Sequence, residues 1–175
     1  MKIIAFAGSP SKKSINKKLA TYAAGLFENA QTEVLDLNDY EMPLFSVDKE
    51  AEIGQHPLAQ AFLDKIATAD FLVVSLAENN GNYSAAFKNT VDWCSRINGK
   101  LFQEKPMLLM ATSPGARGGA SVLEIAKNNF PRFNAEIKAV FSLPSFNDNF
   151  DVENNCISNA ELDQQLKEII KSIHI

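Results

Sequence analysis

The chain is poor in the residues that build metal and disulfide sites. Its 175 residues include two cysteines and two histidines, and no Cys/His pair has the spacing of a structural zinc site. Cys94 and Cys156 form no CxxC, which excludes a disulfide scaffold and fits a reducing compartment. There is no basic excess. Seventeen Lys and Arg stand against twenty-one Asp and Glu, net −4, so no general attraction to nucleic acid or anionic membrane is expected. No apolar run reaches membrane-spanning length, and the chain runs straight into a strand after Lys2 without a signal-peptide core. These absences lead us to expect a soluble, cytoplasmic protein with no nucleic-acid, membrane or metal partner. There is also no GxSxG elbow, which removes a serine hydrolase.

What is present is an ordinary globular composition, 46% hydrophobic and 22% charged, long enough for one domain over residues 1–175 and not comfortably for two. Continuous apolar runs mark buried strands at Ile3–Ala7, Asp70–Ala77 and Pro106–Thr112. Thr32–Leu37 alternates as a more exposed strand does, and Glu136–Phe141 reads as a fifth strand, although Ala135–Ala139 also fits a helix. Helical patterns fill about Ile15–Phe27, Pro57–Ala67, Ala85–Ile97, Ala120–Phe130 and Asn159–Ile173, with Ser14 as N-cap of the first and Gly99 placed to end the third. Pro43 makes 38–55 a long loop, and 142–156 reads as loop-rich. Strands alternating with helices indicate a doubly wound α/β fold with a parallel sheet. Ligands bind such folds beyond the carboxyl ends of the strands.

Three polar, glycine-bearing loops follow the three buried strands, at residues 8–16, 78–84 and 113–119. The first is neither a GxxxxGK[ST] loop nor a GxGxxG turn. One glycine, Gly8, precedes Ser9, Ser11, Ser14 and Asn16, a set suited to surrounding a terminal monophosphate at a helix N-terminus, with Lys12 and Lys13 to neutralise it or to bind a second ligand's phosphate at the rim. The plainer reading is a turn that caps a helix. In the second loop, Asn79, Asn80, Gly81 and Asn82 can offer amides and left-handed turns to a flat heteroaromatic edge, with Tyr83 to stack, or can simply cap the next helix. Glu78 is an acid–base candidate, or more plainly a solvated strand-end carboxylate or a helix-start charge. In the third, the glycines of Ser113-Pro114-Gly115-Ala116-Arg117-Gly118-Gly119 allow close backbone approach to a planar ligand. Trp93 reads as core, Cys94 as a small buried hydrophobe, Lys88 and Asp92 as a surface ion pair, and neither histidine has a partner in sequence.

Together the loops resemble the NADPH-dependent FMN reductase family over about residues 1–145. Gly8-Ser9 with Ser14, Asn16 and Leu19-Ala20 is similar to its GSxRxxSxNxxLA opening. Met42-Pro43-Leu44-Phe45 resembles its loop after the second strand. Glu78, Asn80-Gly81, Lys88-Asn89 and Asp92-Trp93 resemble its PEYNGSxPxxLKNxxDW segment, and 113–119 its glycine-rich loop. The resemblance implies a flavodoxin-like fold, with a five-stranded parallel sheet of order 2-1-3-4-5 and helices on both faces. It implies FMN, with its phosphate on Ser9, Ser11, Ser14, Ile15 and Asn16 and its ring between Glu78, Asn79, Asn80, Gly81, Asn82 and Ser113, Pro114, Gly115, Gly118, Gly119. It implies NADPH or NADH as hydride donor, a small-molecule electron acceptor such as a quinone, flavin or azo compound, and a homodimer or homotetramer. No side chain is assigned a catalytic role, because the flavin carries the chemistry. The family's arginine falls at Ser11, its Pro and Tyr at Ala77 and Asn79, and a second proline at Ser84, which is expected to loosen that turn. A flavodoxin-like electron carrier without nicotinamide chemistry, and a non-redox phosphate binder, are the competing readings.

Overall fold

A computed structural model describes residues 1–174. Five strands form one parallel sheet: β1 (Lys2–Gly8), β2 (Gln31–Leu35), β3 (Phe71–Leu76), β4 (Pro106–Thr112) and β5 (Glu136–Leu143). Their order is β2-β1-β3-β4-β5, the flavodoxin-like order. Seven helices accompany them: α1 (Ile15–Gly25), α2 (Val47–Ile53), α3 (Pro57–Ala67), α4 (Ala85–Ile97), α5 (Ala120–Asn129), α6 (Phe146–Asn149) and α7 (Ala160–Ser172).

The alternation of β1 shows why both sheet faces are covered. Ile3 and Ala5 pack with Leu19, Ala20 and Ala23 of α1 and Leu166 and Ile170 of α7. Ile4 and Phe6 pack on the other face with Phe62 of α3, Phe87 of α4 and Val122 of α5. Successive side chains of a strand point to opposite faces, so a strand buried on both must be apolar throughout. The register then levels the strand ends. Gly8 lies beside Leu76, and Leu76 beside Ala111, so the loops after β1, β3 and β4 open along one edge.

Two segments expected to be loops carry structure. Within 38–55, a 3-10 turn forms over Leu37–Tyr40, and Ser46 starts α2 by accepting from the Lys49 N–H at 3.0 Å. Pro43 lies ahead of that cap, where it cannot break the helix. α2 buries none of its residues; the Arg96–Glu50 ion pair at 2.9 Å ties it to α4. Within 142–156, β5 runs on to Leu143, α6 follows, and Phe150–Asp151 pairs with Cys156–Ile157 as a small hairpin. Ala135–Ala139 leads into strand, because Leu108 of β4 takes Ala139 as its partner. Gly99 does not end α4 by a left-handed turn. Asn98 is extended there, and its side chain accepts from the Lys100 N–H at 2.9 Å.

Candidate functional site

The first loop is built on tight local turns. Ser9 Oγ accepts from the Ser11 N–H at 3.2 Å, the Ser14 N–H donates to the Ser11 carbonyl at 3.1 Å, and Ser14 Oγ accepts from the Lys17 N–H at 3.1 Å. Ser14 is therefore the N-cap of α1, as its place in the sequence predicts. Among the described residues no acceptor meets the N–H groups of Ile15 and Asn16. These are first-turn donors that point out of the helix start, where the dipole favours an anion. Gly8 is required for a different reason. A Cβ there would stand 2.9 Å from Leu76 and 3.1 Å from Phe87.

The Asn16 side chain does not face the loop's ligand space freely. It is buried, its Oδ1 accepts from Ser75 Oγ at 2.7 Å and from the Thr112 N–H at 2.9 Å, and its Nδ2 donates to the Thr112 carbonyl at 3.1 Å. Asn16 thus bolts the start of α1 to the ends of β3 and β4. What it keeps for an anion is its backbone N–H and one amide hydrogen. Asp36, at the end of β2, is likewise engaged. Lys17 donates to it at 2.6 Å and the Asn38 N–H at 2.9 Å, which together hold its carboxyl at a pKa of about 2.

The second loop is an antiparallel hairpin, Glu78 opposite Tyr83 and Asn79 opposite Asn82. Asn80 and Gly81 turn it with φ of 51° and 74°, the left-handed pair that an Asn-Gly hairpin turn needs. Glu78 does not point free into solvent. Its carboxylate accepts from the Val122 N–H at 3.0 Å, in the first turn of α5, whose own N-cap, Gly119, supplies no side chain. Glu78 is a helix-start charge for a helix far along the chain. Tyr83 packs inward, with its ring 5.6 Å from Phe87 and 6.1 Å from Phe130. Ser84 tightens the turn it was expected to loosen. It is buried, donates to the Gly8 carbonyl at 2.9 Å and accepts from the Phe87 N–H at 3.1 Å, so it joins the first and second loops.

In the third loop, two glycines serve packing. A Cβ on Gly118 (φ 56°) would lie 2.3 Å from Ser142 Oγ and 3.0 Å from the Pro144 nitrogen, and one on Gly119 (φ 79°) would lie 2.7 Å from Ala111 Cβ. Gly115 stands open. Its carbonyl accepts from the N–H groups of Gly118 and Ser145, at 3.1 and 3.0 Å. Among the described residues the N–H groups of Ala116 and Arg117 meet no acceptor. The Arg117 guanidinium is exposed and donates to Ser121 at 2.8 Å.

The three loops meet in one cleft of about 240 Å³. Its walls include Ser9, Ser11, Ser14, Ile15, Asn16, Glu78, Asn79, Ser113 and Pro114, all expected from sequence. Lys13, Ala77 and Thr112 also line it. Thr112 was legible only as the last residue of a strand. Asn80, Gly81 and Asn82 stand at the hairpin tip, outside these walls, as does Gly115, while Gly118 and Gly119 are buried behind them. Among the described residues there is no cluster of His, Cys, Asp and Glu able to hold a metal, and no helix is long and apolar enough to cross a membrane.

The remaining motif residues form a bracket beside the cleft. Asn89 Nδ2 donates to the carbonyls of Met42 and Pro43 at 3.1 Å, its Oδ1 accepts from the Phe45 N–H at 2.8 Å, and the buried Trp93 indole donates to the Pro43 carbonyl at 2.7 Å. Asn89 and Trp93 thus pin Met42–Phe45 onto α4. Lys88 and Asp92 are the expected exposed ion pair, at 2.7 Å. Burial pushes the Cys94 thiol up to about 12, so it is inert. His56 Nδ1 accepts from the Leu58 N–H at 3.3 Å and caps α3.

Comparison with known proteins gives the family and the fold. A family profile described as NADPH-dependent FMN reductase matches residues 1–148. The chain is 28% identical to an NADPH:quinone oxidoreductase of Arabidopsis thaliana, over 99% of this chain and 90% of that one. It is 34% identical to a 2-hydroxy-1,4-benzoquinone reductase of a Burkholderia species, over 69% of this chain and 64% of the other. The fold matches that of FerB, a flavoenzyme NAD(P)H:(acceptor) oxidoreductase from Paracoccus denitrificans, with a TM-score of 0.75 and 22% identity, covering 98% and 93% of the two chains.

Proposed function

The chain belongs to the NADPH-dependent FMN reductase family, and from that premise we propose that it moves two electrons from NADPH or NADH, through FMN bound in the three-loop cleft, to a small acceptor of the quinone, flavin or azo class. The observation that carries the reading is the convergence of loops 9–16, 78–83 and 113–119 on one cleft, at level strand ends. We take the whole chain, 1–175, as one FMN-binding domain.

The residues fit the cofactor. The cleft, about 240 Å³, lies just below the roughly 300–1,000 Å³ usual for ligand pockets. It suits the phosphate and its chain, with the ring on the open edge formed by the exposed Asn79, Asn80 and Pro114–Ala116. The N–H groups of Ile15 and Asn16 and the hydroxyls of Ser9, Ser11 and Ser14 donate to the phosphate, with Lys13 beside it. Glu78 holds the hairpin against α5, and Ser84 holds it against β1, so the slot for the ring is fixed from two sides. The N–H groups of Ala116 and Arg117 are donors for negative charge at the ring's edge. FMN supplies the hydride and electron chemistry, which asks the protein for orientation and electrostatics and not for an acid–base pair. The quinone class of acceptor draws support from the activities named for the Arabidopsis and Burkholderia relatives.

We also propose a cytoplasmic homodimer or homotetramer. The exposed Leu44, Val47 and Ile53 give such an assembly apolar contacts, and light scattering on the purified protein measures it. The central test is direct. Purified protein, supplied with FMN, turns yellow, and anaerobic NADPH or NADH bleaches it. A chain that takes up no FMN overturns the reading; bound FMN that neither nicotinamide bleaches makes the protein an electron carrier.

A further inference from the structure

A wide groove lies beside the three-loop cleft, on the outer side of α1. It measures about 880 Å³ and lies between that helix and the excursion carrying α6 and the small hairpin. Its apolar surface comes from Ile15, Tyr22, Leu26 and Val152, with the buried Phe146 behind them, and its rim from Lys12, Lys13, Lys17 and Lys18. Among the described residues no carboxylate lines it, in a chain with an acidic excess. Lys17 is paired with Asp36. Lys12, Lys13 and Lys18 form no ion pair among the described residues.

The walls are held firmly. Phe146 is fully buried and stacks on Phe150 with ring centroids 4.7 Å apart. The Tyr22 hydroxyl donates to Asp163, which also takes Lys167 at 2.6 Å. Gly25 leaves the floor bare, because a Cβ there would meet nothing within 4 Å. Its φ is ordinary, so nothing in the backbone requires glycine. A groove of this size, apolar within and rimmed by unpaired ammonium groups, matches a ligand with an apolar body and one negative charge.

We propose that this groove is a second ligand site, specific for an organic anion with an apolar body. It lies at the phosphate-loop end of the cleft and shares Lys13, Ser14 and Ile15 with it, away from the ring slot, so its ligand is an effector and not the electron acceptor. The site stands on its own walls, whether or not the cleft holds a flavin.

Titration calorimetry with naphthalene-2-sulfonate, and with uncharged 2-naphthol, tests it on the full chain with and without saturating FMN. The sulfonate binds at one site per chain, at least tenfold more tightly than the naphthol. Gly25→Phe fills the floor and weakens the sulfonate at least tenfold while FMN uptake stays unchanged. Lys18→Glu weakens the sulfonate about fivefold and leaves the naphthol as it was. Val152→Asp, at a side chain 48% exposed and so without consequence for folding, weakens both probes. Equal affinity for the two probes overturns the proposal. So does unaltered binding by Gly25→Phe and Val152→Asp, or one-for-one displacement of the sulfonate by FMN. A chain that binds the sulfonate but no FMN would overturn the flavin reading and leave this site standing.

Discussion

The first and third loops leave strand ends two places apart in the sheet, yet they use their small and polar residues in opposite ways. In the first loop the backbone is left open. The N–H groups of Ile15 and Asn16 meet no acceptor among the described residues, and several hydroxyls line the cleft. In the third loop the conspicuous glycines are turned away from it, Gly118 against Ser142 and Pro144 and Gly119 against Ala111. The amide of Asn16 crosses that division, since it belongs to the first loop and anchors the strand that leads into the third. Residues of the same types are divided between lining the cleft and packing behind it, and what the fold brings beside each one decides which is which.

The strongest way to break this comparison is to put a side chain on Gly118. Gly118→Val forces a Cβ onto Ser142 and the Pro144 backbone at a positive φ, which costs about 3 kcal/mol of stability in urea unfolding. Gly115→Ala, in open space, shifts the same midpoint by less than about 0.5 kcal/mol. Equal losses at the two positions would show that the third loop does not divide as described.

Ser14→Asp separates cap from ligand in the first loop. Aspartate caps a helix as well as serine does, so the unfolding midpoint holds, while a negative charge arrives where the phosphate is proposed to sit. FMN affinity then falls about a hundredfold, or roughly 2.7 kcal/mol, as read by quenching of flavin fluorescence. Unchanged affinity would move the phosphate elsewhere. Asn16→Ala orphans Ser75 Oγ and both Thr112 backbone groups, at a cost of about 2 kcal/mol. Hydrogen exchange at the Thr112 amide should rise more than at Ile4, and a uniform rise would mean that Asn16 is not a local bolt.

The smallest effect is electrostatic. Lys17, with help from the Asn38 N–H, lowers Asp36 from 3.8 to about 2. A depressed carboxylate pKa stabilises the fold above the unfolded value and ceases to as pH falls through the folded one. With side chains 35% and 31% exposed, solvent screening reduces this to about 1 kcal/mol. Asp36→Asn therefore lowers the urea midpoint at pH 6, and its difference from the parent closes between about pH 4 and pH 2. A difference that persists at pH 2 would make the effect one of packing and not of charge.

Much of this was legible in the chain. The buried strands announce themselves as unbroken apolar runs because both faces of the sheet are covered. Ser14 and the Asn80-Gly81 turn are legible because a cap and a left-handed pair are satisfied within a few residues. α2 is not legible because Pro43 points to a loop over a stretch in which Ser46 starts a helix. The partners of Glu78 and Ser84, Val122 and Gly8, are not legible because they lie 44 and 76 residues away.

By itself the sequence determined the alternation of strand and helix, the three loops at the strand ends and the family, because each rests on local pattern or on motifs of fixed spacing. Only the tertiary structure decided which of those loop residues line the cleft. It turned Gly118 and Gly119 behind it, engaged the amide of Asn16 across 96 residues and brought Lys12, Lys13 and Lys18 to the rim of a groove outside α1. Hydrogen-bond partners and burial are set by what the folded chain brings alongside, and no local pattern carries that information.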